Sequence, residues 1–164
     1  MEDFLQQIEK ALSYNLYYIA LQSTLTLPDI CGALQSIDGT ATKTKYIDWY
    51  NTYFLRKTFL SADDCYYFRC SNVHQGKTTH QNSTYSRILF VEPSEKNSIV
   101  LNNNIINGAL NIDVNIFCTD MIASVRNWLI LVKNDETFQE NYSSFIKRYP
   151  NGLPPYIVGV PIIS

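Results

Sequence analysis

Arg69 and His74 stand five residues apart in a segment with helical character, and their side chains together can do phosphate chemistry. A guanidinium holds a phosphate through paired N–H donors. An imidazole of pKa ~6.5 takes or gives a proton near neutrality. With about 100° per residue and Arg69 as zero, Val73 falls near 40°, Tyr66 near 60°, Cys70 near 100° and His74 near 140°. The two polar groups therefore flank an arc of Ala62, Tyr66, Val73 and Cys70, side chains that favour burial. Their axial separation of about 7.5 Å leaves room for an anionic group between them.

The neighbourhood suits an anion. From Cys65 through Val91 there is no Asp or Glu, whereas Arg69, Lys77 and Arg87 are basic and His74 and His80 can become so. This local positive lobe lies on a chain of 13 Lys+Arg and 15 Asp+Glu, with a formal charge of −2, so any contact with nucleic acid must be local.

The run Arg69-Cys70-Ser71-Asn72-Val73-His74 resembles the Arg, four to six residues, His signature of the HEPN superfamily. The wider stretch from Cys65 to Gly76 looks like the late-helix motif of a small bacterial, often plasmid-borne branch. The resemblance implies an all-helical domain. It also implies a homodimeric, metal-independent endoribonuclease, without a cofactor, that cuts RNA by attack of the ribose 2′-OH and leaves a 2′,3′-cyclic phosphate. Under it Arg69 holds the scissile phosphate, and His74 is the general base or acid. Asn72, Lys77, His80 and Arg87 are the candidate substrate-binding residues. A toxin or phage-defence role, with an antitoxin or regulatory protein as partner, follows from the resemblance alone. Where family members commonly carry a polar residue directly after the Arg, this chain has Cys70. The alternative is a catalytically silent HEPN module that binds RNA, a nucleotide or a partner protein.

Other readings of these side chains stand beside that one. His74 can serve the helix dipole while Arg69 snorkels at the surface. Cys70 and His74, four apart, could form half of a metal site, but no second half is visible, or a thiol–imidazole nucleophile pair, for which no orienting third group or oxyanion donor can be named. Lys77, His80 and Arg87 equally suit a solvated loop, and Asp63 and Asp64 suit the first turn of a helix.

The elements that must position these groups follow from periodicity. Leu5, Ile8, Leu12, Leu16 and Ile19 form one apolar stripe, which predicts a long helix from Asp3 to Gln22. Pro28 opens a short helix through Leu34, and Thr44 caps a third from Lys45 to about Phe59. That third segment carries Tyr46, Trp49, Tyr50, Tyr53 and Phe54, read as core or dimer contact in preference to a base-stacking platform. Ser61 followed by Asp63 and Asp64 starts a helix over Ala62 to Gln75, and Gly76 stops it. Arg87–Glu92 and Ser98–Leu101 read as a β-hairpin spanning about 86–101. Asp113 caps a further long helix, and a last one runs from Thr137 to Tyr149 before an apolar, non-helical tail over 150–164.

The expected architecture is a single all-α domain over 1–164, a four- to five-helix bundle with a hairpin inserted between the fourth and fifth helices. No apolar run reaches the ~20 residues that span a bilayer, and Met1-Glu2-Asp3 lacks a basic flank, so the expectation is a cytoplasmic protein without membrane contact. Four cysteines without a C-x-x-C pair point to reduced thiols.

Overall fold

A computed structural model describes residues 1–94 and 100–164. The described residues form six helices and seven short strands in three small sheets. The fold is mixed α/β, which corrects the all-α expectation.

The predicted first helix is two. α1 covers Glu2–Ser13 and α2 covers Tyr17–Leu34, and between them Asn15 takes a left-handed φ of 57°. Asn tolerates that conformation where most residues do not, and the chain uses it to turn. The stripe breaks with it: Leu5 and Ile8 are buried, whereas Leu16 and Ile19 are exposed. Pro28, expected in a first turn, lies inside α2, where nine buried neighbours on the same helix, Leu25 and Leu27 among them, outweigh the hydrogen bond its ring removes.

α3 is Lys43–Tyr53, capped by Thr42, whose side chain accepts from the Lys45 N–H at 3.3 Å. It ends six residues earlier than the periodicity implied, because Phe54 turns to an extended conformation. α4, Ala62–Gln75, and its Ser61 and Gly76 boundaries match the expectation. α5 is Val114–Val132 behind an Asp113 cap, and α6 is Glu136–Ser143 behind an Asp135 cap, shorter than expected at its C-terminal end.

The hairpin lies elsewhere than predicted. β1, Arg87–Val91, is a strand as read, but it pairs in parallel with β3, Ala109–Asp113, with Arg87 opposite Ala109 and Val91 opposite Asp113. β3 in turn pairs antiparallel with β2, Asn104–Ile106, giving the order β1-β3-β2. The tight turn is Asn107-Gly108, both at positive φ (50° and 75°), the pairing that a two-residue hairpin favours. Of the expected second strand, residues 98 and 99 lie outside the described residues, and Val100 and Leu101 are not in a strand.

The sheet belongs to the core. Ile88, Leu110 and Ile112 are buried in the same apolar cluster as Leu25, Cys65 and Val125 of the helices. The Phe90 ring lies 5.1 Å from Phe68 of α4 and 5.1 Å from Phe117 of α5. Trp49 and Trp128, edge to face at 6.0 Å, close the other end, with Phe138 of α6 against Trp128. Tyr46, Trp49 and Tyr50 are core residues, while Tyr53 and Phe54 are half-buried. The tail forms two short antiparallel pairs: β4 (Arg148–Tyr149) with β7 (Ile162–Ile163), and β5 (Gly152–Leu153) with β6 (Ile157–Val158). No described helix is long and apolar enough to cross a membrane.

Candidate active site on the fourth helix

α4 is fixed at both ends by its own sequence. Ser61 Oγ accepts from the Asp64 N–H at 3.1 Å, satisfying one donor that the helix start leaves without a partner. Gly76 takes φ 63°, its N–H donates to the Asn72 carbonyl, and the Lys77 N–H donates to Ser71, both at 3.0 Å. This left-handed stop places His74 in the last turn and Arg69 one and a half turns before it.

The two side chains meet, which closes the gap expected between them. Arg69 Nη1 is 3.1 Å from His74 Nε2 and 3.7 Å from the Cys70 sulfur. On its other side, Arg69 Nη2 is 2.6 Å from Asp29 Oδ2 on α2. Arg69 is largely buried, with a side chain 16% exposed against 10% for Asp29, whereas His74 is exposed. Burial pushes the Asp29 carboxyl pKa upward, and the Arg69 charge works against that rise. Arg69 Nε is buried without a hydrogen-bond partner among the described residues. The arc between the two groups is only partly covered: Ala62 is buried, Tyr66 and Cys70 are half-buried, and Val73 is exposed.

A guanidinium so placed is aimed by a carboxylate behind it and touches an imidazole that solvent can reach. That is an arrangement able to grip an anionic oxygen and move a proton beside it. Among the described residues no group of three or more His, Cys, Asp or Glu side chains is placed to hold a metal ion.

The other candidate residues fall into two further places. Asn72 is buried and shares with Arg87 a groove of about 360 Å³ between α2, α4 and β1. Arg87 Nη1 is 3.5 Å from Thr78 Oγ1. Lys77 and His80 line a separate hollow of about 380 Å³ with Ser71, Gln75 and Thr79. The His80 ring stacks on Tyr67 at 4.5 Å and 9°, and the Tyr67 hydroxyl accepts from Lys43 Nζ at 2.6 Å. Neither Arg69 nor His74 lines these two cavities.

Asp29 is the site residue that the sequence reading missed. Following a proline it reads as ordinary first-turn charge, yet it is the single charged residue between Leu16 and Asp38, set in an apolar helix. That isolation was the available signal, because a carboxylate there needs a partner. Asp63 and Asp64 also separate. Asp63 pairs with Lys43 at 2.9 Å near the surface, and buried Asp64 accepts from the Thr84 N–H at 2.7 Å and from Ser83 Oγ at 3.2 Å. Asp64 thus ties the polar loop after α4 to the start of that helix.

All four cysteines are free thiols. Burial pushes those of Cys65 and Cys118 up to about 12 and raises that of Cys31 well above the ordinary range. Comparison with protein-family models, with curated proteins and with solved structures finds no match to this chain.

Proposed function

We propose that the protein is a metal-independent endoribonuclease of HEPN type, working as a homodimer in which the α4 helices of two copies face each other. The observation that carries this reading is the Arg69–His74 contact at 3.1 Å, backed by Asp29 at 2.6 Å from the same guanidinium. Arg69 binds the scissile phosphate and offsets the charge that builds on it during attack by the 2′-OH. His74 takes the proton of that hydroxyl or supplies one to the leaving 5′-oxygen. Because the 2′-OH is the nucleophile, RNA is cut, DNA is not, and the product ends in a 2′,3′-cyclic phosphate. Asn72, Lys77, His80 and Arg87 contact the strand on either side. A role as a toxin or phage-defence effector, held in check by an antitoxin or regulatory protein, fits a chain whose target would be cellular RNA.

A second reading, a silent HEPN module that binds RNA, a nucleotide or a protein, draws on the engagement of Arg69 by Asp29 and on Cys70 in the position after the arginine. Incubation of the purified protein with total RNA and with DNA, in EDTA, separates the two. The ribonuclease reading requires RNA cleavage that persists in EDTA and is lost in Arg69→Ala and His74→Ala. Salt-sensitive RNA binding without cleavage favours the silent module. Full cleavage by both variants removes the assigned roles.

A further inference from the structure

The groove between the start of α2, the last turns of α4 and β1 gathers two of the proposed strand-contacting residues, Asn72 and Arg87, at a place apart from Arg69 and His74. Its wall includes Tyr17, Tyr18, Phe68, Asn72, Arg87 and Glu92. Four aromatic side chains, counting Phe90, with an amide and a guanidinium around a space of about 360 Å³ make a mixed apolar and polar pocket of ligand size. Asn72 is 7% exposed, and its Oδ1 is sealed from solvent with no hydrogen-bond partner among the described residues. A buried amide oxygen without a donor is costly, and a ligand donor relieves that cost. An Asn amide also carries donor and acceptor side by side, and rotation by a half-turn exchanges the one that faces the groove.

Asn72 follows Arg69 by three residues, which places it about 60° around α4 on the side away from His74. Side chains three apart on a helix have Cβ atoms about 5–6 Å from one another, so Asn72 is a near neighbour of Arg69 along α4, while the guanidinium itself reaches His74 and Asp29.

We propose that this groove is a base-reading subsite that takes an adenine-bearing residue of an RNA strand. The ring stacks on Tyr17 or Tyr18, the Asn72 amide pairs with the amine and ring nitrogen of one base edge, and Arg87 holds a flanking phosphate. An amide matches adenine's adjacent donor and acceptor as a bidentate pair, and base–aromatic stacking supplies affinity without sequence choice. Glu92 at the groove accepts from an amine and repels a second phosphate. The inference rests on the ribonuclease reading for the course of the strand, but its test does not require cleavage.

Labelled 2′-O-methyl hexamers of adenylate and of uridylate, which lack the nucleophile, are titrated against the full chain by fluorescence anisotropy. The adenylate hexamer is expected to bind at least about tenfold more tightly, in line with the discrimination of a bidentate pair. Asn72→Ala should reduce that preference to about twofold or less, and Tyr18→Ala should weaken binding of the adenylate hexamer by about fivefold or more. Tyr18 is 62% exposed, so its variant keeps the fold even if the Asn72 variant does not. Equal affinity for the two hexamers overturns the proposal, as does adenylate binding that neither Tyr17→Ala nor Tyr18→Ala weakens. Tight binding of free 5′-AMP without discrimination between hexamers makes the groove a mononucleotide site and also overturns it. An adenylate preference in a protein that never cuts RNA defeats the ribonuclease reading alone, and RNA cleavage without any such preference defeats this inference alone.

Discussion

Asp29 and Arg69, forty residues apart in sequence and on different helices, form an ion pair of 2.6 Å in which both side chains are largely withdrawn from solvent. The carboxylate fixes one face of a guanidinium whose other amino group reaches His74. Substitution on α2 should therefore act on chemistry at α4.

Asp29→Asn keeps the shape and removes the charge. If Asp29 aims Arg69, RNA cleavage should fall by about tenfold or more, mainly in kcat with KM little changed, because a misplaced catalytic group costs rate more than ground-state binding. The thermal midpoint should also fall, since breaking a buried pair leaves an uncompensated charge. Steady-state kinetics on a defined RNA, with a melting curve on the same preparation, checks both. A faster variant would instead make Asp29 a shield over the guanidinium.

Asp64→Ala should destabilise by about 2–4 kcal/mol, as it strands the Thr84 N–H and the Ser83 hydroxyl and removes the acceptor of the Ser61 O–H. Denaturant melts give the magnitude. Hydrogen exchange should locate the loss in the loop over 77–84 before it reaches the core. Uniform loss of protection would place the role of Asp64 elsewhere.

Arg126 on α5 bridges two carboxylates of α1, with Nη2 at 2.6 Å from Glu2 and Nη1 at 2.6 Å from Glu9. Hydrogen bonding to Arg126 holds both glutamates below their ordinary pKa, against a smaller opposing effect of burial. A lowered folded pKa gives stability that is present above the unfolded value, about 4.5, and is lost as pH falls through the folded one. These side chains are 37–49% exposed, so water and salt screen them, and the loss is about 1 kcal/mol or less. Urea melts between pH 6 and 3 should show the decline. It should shrink in Arg126→Ala and in high salt, and an unchanged acid limb in that variant would assign it to other groups.

Cys70 should be the thiol that alkylates first in the native protein. It is half-buried, whereas Cys31, Cys65 and Cys118 are buried and, by that burial, held as thiols at neutral pH. Mass spectrometry after brief iodoacetamide treatment should find one adduct, at Cys70. Because Arg69 Nη1 lies 3.7 Å from that sulfur, the adduct should abolish RNA cleavage, and Cys70→Ser should escape inactivation.

The helix that carries the candidate site was legible because its signals are local. Ser61 caps by a hydroxyl three residues from the donor it satisfies, and Gly76 stops the helix because a residue without Cβ enters the left-handed region freely. Asp113 marks α5 in the same way. Local signals also existed where they went unread. Asn107-Gly108 between β-branched and apolar residues is a stronger hairpin signal than the segment around Pro93, and it is the turn the chain uses. The stripe from Leu5 to Ile19 continued across Asn15 because periodicity alone does not register a left-handed residue.

By itself the sequence determined α4 and its caps, and so the seating of Arg69 and His74 five residues apart on one helix; the direct contact between their side chains is a finding of the structure. Tertiary structure alone decided that β1 lies parallel to a strand some twenty residues onward, which makes the fold mixed and not all-helical, and that Asp29 lies behind Arg69. Neither has a sequence spacing to announce it. Parallel pairing and the ion pair both depend on where α2, α4 and β1 come to rest, and that is set by burial of the shared core, a sum over many contacts that no single residue encodes.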